Sequence, residues 1–595
     1  MCGIVGVFNH NTNINSLIES LKHRGPDESG IYEDGALKLG HTRLSIIDLK
    51  NGKQPMQLGD LVISFDGEIY NHLTLRKTHL RDFEFKTTSD TETILALYQK
   101  MGAKFLNVLD GMFAMAIYEK SKERIFFARD RAGEKPLYYL KTSNFFAFAS
   151  ELNTLKKFDL KIDEKAIKAY LRLGFFAQNS AYKDVCSVLA GNYGYLNLKN
   201  GNFVTKPFFS MIEFYGKKSK LSQTEALLLL EDKLKKSVKS RLFSSDVEVG
   251  AFLSGGIDSS LVVALASGFK ENLRTFTISF DGSYDEAPLA RLVAQKFNTN
   301  HQEICLKFDI AQDLEKILGN YGQPFFDSSA IPSYFVSKEA RKYVKVALCG
   351  DGADELFGGY RRYVLAKNIR LFRPFGFLSK ILFMPKDKKS GYNYFFRALK
   401  LVKANGKIEK YLRLTNDIIE GFSENFELVE NYGIESFLEK ISSTPLKTAM
   451  LHDFDILLRF DLLVKMDIAS MANSLEIRSP FLAKDILEFA PSLDDRLKVK
   501  GLQTKFILRQ LAQKYLPQDL INAPKRGFEV PLKSWVENDL KEMIFDNLQK
   551  NSYVRKFVKG NFLQNLLENK VKIPGEKRAK ILWNLLCLES WHKNI

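Results

Sequence analysis

Short apolar runs broken by turn residues fill the amino-terminal third of the chain. The first, Gly3-Ile4-Val5-Gly6-Val7-Phe8, begins almost at once, and runs at 61–65, 112–118, 125–128 and 145–149 follow it. Apolar runs this short, bounded by polar residues, predict β-strands, with a helix intervening at 90–100. Residues 206–221 are basic, aromatic and without period, which predicts a linker. Ser222-Gln223-Thr224-Glu225 then precedes a leucine-rich run. A serine that caps a helix start, with a glutamate three residues on that caps back, predicts the first helix of a new domain. Beyond it strands and helices alternate: 247–253 then a helix from Ser259, 273–280 then a helix from Asp285, 344–348 then another helix. Parallel neighbours need a crossover connection, so this alternation predicts a parallel sheet covered by helices. Past residue 360 the pattern is mainly helical. The expected domains are 1–205 and 222–595, joined by 206–221, with no repeat of fixed period.

At 595 residues the chain is longer than one core serves, and 45% apolar with 26% charged residues is an ordinary globular composition. Cys2, Cys186, Cys305, Cys349 and Cys587 form neither a CxxC pair nor a metal spacing, which predicts reduced thiols and a cytoplasmic protein. No apolar run approaches the roughly 18 residues of a spanning helix, so no membrane association is expected. The net charge of +17 raises the question of nucleic acid. No nucleic-acid motif accompanies it, and stretches such as Leu230-Glu231-Asp232-Lys233-Leu234-Lys235-Lys236 read as solvated helix faces. Small-molecule substrates are the expected partners. Residues 367–390 mix Arg370, Arg373, Lys380, Lys386, Lys388 and Lys389 with Phe372, Phe375, Phe377 and Phe383. Pro374, Gly376 and Pro385 break any long amphipathic helix there, so the segment reads as an inserted lobe, not a membrane surface.

Three places carry candidate chemistry. Removal of Met1 would make Cys2 the amino terminus, where an α-amino group of pKa near 7.7–8.0 lies beside the thiol as a general base. Taken alone, that position is also what chance gives a cysteine near a start codon. Ser254-Gly255-Gly256-Ile257-Asp258-Ser259-Ser260 follows an apolar strand and opens a helix. Its glycines admit an anion to the backbone, its hydroxyls and N–H groups donate to it, and the helix start adds a favourable field. Asp258 suits a magnesium ligand, and the absence of a following lysine separates this loop from GxxxxGK[ST]. A second turn, Cys349-Gly350-Asp351-Gly352-Ala353-Asp354-Glu355, adds three carboxylates after another strand. Ligands of a parallel sheet bind at the carboxyl ends of its strands, so the two turns are expected to meet.

These turns, the stretch from Leu463-Val464-Lys465-Met466-Asp467 to Ser474-Leu475-Glu476-Ile477-Arg478-Ser479-Pro480-Phe481, and Lys525 to Pro531 resemble the synthetase domain of glutamine-dependent asparagine synthetases, which are pyrophosphate-loop ATP pyrophosphatases. Cys2-Gly3-Ile4, Arg24-Gly25-Pro26-Asp27, His41 to Asp48, Asp66 to Asn71 and Ser89 to Glu92 are similar to the class II glutamine amidotransferase part of the same family. The resemblance spans nearly the whole chain. It implies an N-terminal nucleophile-hydrolase αββα sandwich, followed by a parallel-sheet α/β synthetase domain with a helical carboxy-terminal part.

For the first half it implies that Cys2 attacks the glutamine amide while Arg43 holds the α-carboxylate and Glu68 and Asp90 the α-ammonium. Backbone around Leu44, Ile46 and Ile47 completes the pocket, and Asp66 and Gly67 lie at the oxyanion. Ammonia then passes through an interior tunnel to a site where ATP activates a carboxylate as an acyl-adenylate. There Ser254, Gly255, Gly256, Ser259 and Ser260 cradle pyrophosphate, and Phe252, Ile278, Cys349 and Gly350 line the nucleotide pocket. Asp258 and Asp354 hold Mg2+, and Lys505 steadies phosphate charge. Asp351, where relatives carry glutamate, takes protons during amide formation.

Relatives carry asparagine at the Asp66 position. A carboxylate cannot donate there unless protonated, and losing one oxyanion donor costs about 2.7–4 kcal/mol, which predicts slow glutamine hydrolysis or a raised Asp66 pKa. The acceptor region Gln323 to Pro332 lacks an arginine that some relatives use for aspartate. The implied activity is asparagine synthesis from aspartate, glutamine and ATP. The alternative is amidation of another carboxylate, such as a sugar acid, a cell-surface glycan or a peptide precursor. A non-catalytic binding protein is opposed by Cys2, Arg43, Asp258 and Asp354, and a homodimer is compatible with the family.

Overall fold

The computed structural model describes residues 2–279, 286–305, 310–380, 391–415, 417–522, 530–549 and 551–595. Among them the apolar runs of the amino-terminal third form β1 (Cys2–Phe8), β2 (Glu28–Asp34), β3 (Leu37–Arg43), β4 (Met56–Leu58), β5 (Leu61–Ile69), β6 (Gly111–Glu119), β7 (Arg124–Arg129), β8 (Tyr138–Lys141), β9 (Phe146–Ala149), β10 (Val185–Ser187), β11 (Asn192–Asn197) and β12 (Phe203–Pro207). They make two antiparallel sheets, ordered β10-β8-β9-β1-β3-β2 and β12-β11-β7-β6-β5-β4. Strand alternation sorts the side chains between two faces. Ile4, Leu37 and Leu39 meet Val62, Ala114, Ala116 and Phe127 between the sheets. Val5 and Val7 turn outward onto Ile14 and Leu17 of the helix Ile14–Glu19. On the other side Ile63, Phe65, Met115 and Ile117 pack on Ile94, Leu95 and Leu97 of the helix Asp90–Met101. The result is the αββα layering expected.

The stretch read as a linker carries structure. Its short helix Met211–Tyr215 buries Met211 and Tyr215 in the same core as Leu230, Leu234 and Leu253. Ser222 then caps as anticipated: its hydroxyl accepts from Glu225 N, and the Glu225 carboxylate accepts from Ser222 N at 2.8 Å, opening the helix Gln223–Phe243.

The second half contributes β13 (Val249–Phe252), β14 (Arg274–Ser279), β15 (Asn300–Cys305), β16 (Val346–Leu348) and β17 (Glu476–Arg478). Their order is β15-β14-β13-β16-β17 and every pairing is parallel. β17 departs from the expectation of a helical region past residue 360: it is three residues long and too short to show a period of two. Helices Ile257–Ser267 and Ala287–Lys296 follow β13 and β14. Phe280 and Asp285 lie outside the described residues, as do Phe383, Pro385, Lys386, Lys388, Lys389 and the motif part 525–529. Arg361–Phe372 is a helix and Arg373–Lys380 a tighter 3-10 turn, and among the described residues no helix is long and apolar enough to cross a membrane. The last helix, Gly575–Lys593, returns to the amino-terminal half, where Asn584 donates to the Leu171 carbonyl and Trp583 shares a core with Val5 and Leu17.

Candidate active sites

β1 and β3 pair with Cys2 opposite Arg43, so the antiparallel register sets a thiol beside a guanidinium. Cys2, Arg43, Leu44, Ile46, Ile47, Gly67, Glu68 and Asp90 line one cavity. Burial pushes the Cys2 thiol up to about 12, so at neutral pH it is protonated and needs a base to react. The Arg43 guanidinium is oriented by the carbonyls of Ile47 and Asp48, at 3.1 and 2.6 Å, and by Glu28 at 3.2 Å. Gly67 has φ 152°, and a Cβ there would run into the Met112 carbonyl on β6, so only glycine fits this turn of β5. Asp90 heads its helix behind the Ser89 cap and accepts from Ile69 N at 2.9 Å. Burial raises its carboxyl to about 6. Glu68 accepts from Arg478 at 3.1 Å, and burial, with Asp90 next, pushes it well above the usual carboxylate range.

Asp66 does not line this cavity. Its Oδ1 accepts from Cys2 N at 2.9 Å and its Oδ2 from Arg24 at 3.1 Å, while Arg24 Nε donates to the Cys2 carbonyl at 2.9 Å. Arg24 is fully buried and also meets Glu151 and Asp467. Burial raises the Asp66 carboxyl against the pull of Arg24 and Lys135.

At the second site β13 and β16 are adjacent and parallel, which brings both turns to one end of the sheet. The contact is close: a Cβ on Gly350 would lie 3.0 Å from Asp258 Cβ and from Ser259 N. Phe252, Ser254, Gly256, Asp258, Ser259, Ile278, Cys349, Gly350, Asp351 and Asp354 surround a cavity of about 220 Å³. Gly255 and Ser260 lie behind that wall, Gly255 at φ 72° with no room for a Cβ against the Glu286 carbonyl. Lys505 stands between Asp258 and Asp354, at 2.6 Å from the latter. Gly359 leaves it the space, since a Cβ there would overlap both Asp354 and Lys505. Asp351 is half-buried, and loss of water contact raises its carboxyl, with Lys465 pulling the other way and Cys349 Sγ at 3.3 Å.

The carboxylates of Asp258 and Asp354 converge on one cation, and Asp258 Oδ1 is buried without a hydrogen bond among the described residues. That donor set fits a Mg2+ ion completed by phosphate oxygens and water. Among the described residues no three His, Cys, Asp or Glu side chains cluster for a metal held by protein alone.

Two residues of the matching motifs enter these sites without a role implied by the resemblance. Lys465 lines the second cavity and donates to Asp327 and Ser329, each at 2.9 Å, in the expected acceptor region. Glu476 enters the Cys2 cavity from β17. Only tertiary packing could place it there, 474 positions from Cys2.

Residues 229–593 match the family model described as asparagine synthase, and residues 1–209 match that of a glutamine amidotransferase domain. The chain is 33% identical to asparagine synthetase [glutamine-hydrolyzing] 1 of Bacillus subtilis (strain 168), over 100% of this chain and 96% of that one. It is 32% identical to asparagine synthetase B of Escherichia coli (strain K12), over 62% of this chain and 66% of that one.

Proposed function

Since the chain belongs to the asparagine synthase family, we propose that it makes asparagine from aspartate, with glutamine supplying the nitrogen and ATP the driving force. The observation that carries this reading is the pairing of two built sites in one chain. One centres on Cys2 opposite Arg43, the other on the phosphate loop and acid turn.

In this reading Met1 is removed, and the free amine of Cys2 takes the thiol proton as sulfur attacks the side-chain amide of glutamine. Arg43 pairs with the substrate α-carboxylate, Glu68 and Asp90 with its α-ammonium, and backbone at Leu44, Ile46 and Ile47 closes the pocket. The Gly67 N–H meets the oxyanion. Ammonia leaves a thioester, which water hydrolyses to glutamate. That ammonia then reaches the second site by an interior route.

At the second site Ser254 to Ser260 hold the pyrophosphate of ATP, and Phe252, Ile278, Cys349 and Gly350 hold its nucleoside. Asp258 and Asp354 would hold Mg2+, which supplies positive charge against the phosphates. The acceptor carboxylate attacks the α-phosphate, giving an acyl-adenylate and pyrophosphate. Lys505 steadies the phosphate charge, and Asp351 takes a proton from ammonia as AMP leaves. The working units are 1–205 and 222–595, with the helix Met211–Tyr215 of 206–221 packed into the core of the second, in a cytoplasmic protein.

A second reading has its own support. The acceptor region lacks arginine, and the cation there is Lys465, paired with Asp327. A sugar acid, a glycan or a peptide carboxylate would then replace aspartate. Pyrophosphate release with ATP, Mg2+ and ammonium across candidate carboxylates decides between them: release with aspartate is expected, and release only with another acid overturns asparagine synthesis.

A further inference from the structure

Every lining residue of the Cys2 cavity lies between Cys2 and Thr91 with one exception among the described residues, Glu476. It is fully buried and comes from β17, on the parallel sheet of the other half. Arg478 lies two residues along the same strand, hence on the same face. It donates Nε to Glu476 at 2.6 Å and a terminal nitrogen to Glu68 at 3.1 Å, holding the two carboxylates side by side. Its remaining terminal nitrogen is taken by the carbonyls of Arg241 and Ser244, at 2.6 and 2.8 Å. Arg478 does not line the cavity and acts by orienting the carboxylates.

Glu68, Asp90 and Glu476 share this wall, and Glu68 Oε1 is buried with no hydrogen bond among the described residues. Burial and mutual repulsion lift Glu68 well above the usual range and Asp90 to about 6. Burial works on Glu476 too, but positive charge holds it down at about 2, that of the chain's amino terminus first, then Arg478 and Lys135, so this carboxylate already answers to an α-ammonium. A cation set among the three would relieve that repulsion. An α-ammonium has three N–H donors, as many as there are carboxylates, while Arg43 waits for the carboxylate of the same molecule.

We propose that Glu476 is a glutamine-binding residue, which receives the substrate α-ammonium together with Glu68 and Asp90, so that both halves of the protein read the substrate. The inference rests on the glutaminase reading above. It makes the pocket composite: the strand that carries Glu476 also accepts, through the Arg478 carbonyl, from Cys349 N at 2.9 Å, next to the acid turn of the ATP site.

The test compares hydrolysis of glutamine with that of 5-amino-5-oxopentanoate, which lacks only the α-amino group, in wild type, Glu476→Gln and Glu476→Asp. In Glu476→Gln the kcat/KM for glutamine is expected to fall about 10- to 100-fold, chiefly through KM, as loss of a charged hydrogen bond implies. Hydrolysis of the analogue should change little, so that the preference for glutamine collapses, and Glu476→Asp should restore part of it. An equal loss on both compounds would mean that Glu476 only supports the fold, and would overturn the assignment; so would an unaltered preference. Wild type that hydrolyses neither compound overturns the glutaminase reading itself, and this inference with it.

Discussion

Asp66 turns its carboxylate to the backbone nitrogen of Cys2 and to Arg24, and does not line the Cys2 cavity. Once Met1 is removed, that nitrogen is the amine proposed as base. A carboxylate at 2.9 Å favours its protonated form and leaves less free base at neutral pH. Asp66→Asn is therefore expected to move the rising limb of the glutaminase pH profile downward and to raise kcat near pH 7 about tenfold or more, since one unit of pKa is worth a factor of ten. A profile identical to wild type, measured by glutamate release, would count against it. Asp90 gives a second pH test. Its carboxyl titrates near 6, above the ordinary 3.8, so it is ionised above that pH and neutral below. Because an α-ammonium needs the ionised form, Asp90 is expected to add a second, steeper fall in kcat/KM for glutamine as pH drops through 6, below the limb set by the amine. Asp90→Asn should flatten that second fall at a low level.

Among the elements, β17 does the most with the least chain. Its three residues align two carboxylates of one site and hydrogen-bond the turn of the other. Replacing Arg478 by methionine strands Glu68 and Glu476 as buried acids without their shared cation, and should cost about 3–5 kcal/mol in urea unfolding. The helix that begins after Lys505 shows a different device. Lys505 sits at φ 53°, a conformation that L residues rarely adopt, and so reaches back between Asp258 and Asp354. Lys505→Ala is expected to slow pyrophosphate release about a hundredfold or more, the scale seen when a charge-stabilising donor is removed from an active site. Elements this small carry little periodic signal. The capping box at Ser222 and the glycine-serine loop at Ser254 could be read directly, because their chemistry is local, whereas β17 looks like part of a helical region until its partners are known.

Across the whole molecule, buried ion pairs join the halves. Asp467 meets Arg24 at 2.8 Å and Lys135 at 3.2 Å, and Arg478 meets Glu68. Arg24 also touches Cys2 and Asp66, so the nucleophile's backbone is held by a contact with the distant half. Asp467→Asn should loosen that hold, and glutamate released per pyrophosphate should then rise above parity when both are measured in one assay. The αββα layering and the expected roles of Cys2 and Arg43 came through the resemblance of their motifs to a family, while the sequence alone determined the β-rich runs, the strand-helix alternation of a parallel sheet, the capping box and the two turns at Ser254 and Cys349. Those depend on short-range patterns: short apolar runs bounded by polar residues, glycines where backbone must approach an anion, and caps. Tertiary structure decided that Asp66 faces backbone, that Met211 and Tyr215 of the supposed linker are buried core, and that Glu476 stands in the Cys2 cavity. Each of these depends on which groups, hundreds of residues apart in the chain, are buried together. Burial and opposing charge then set which carboxylates stay ionised, and no local pattern carries that information.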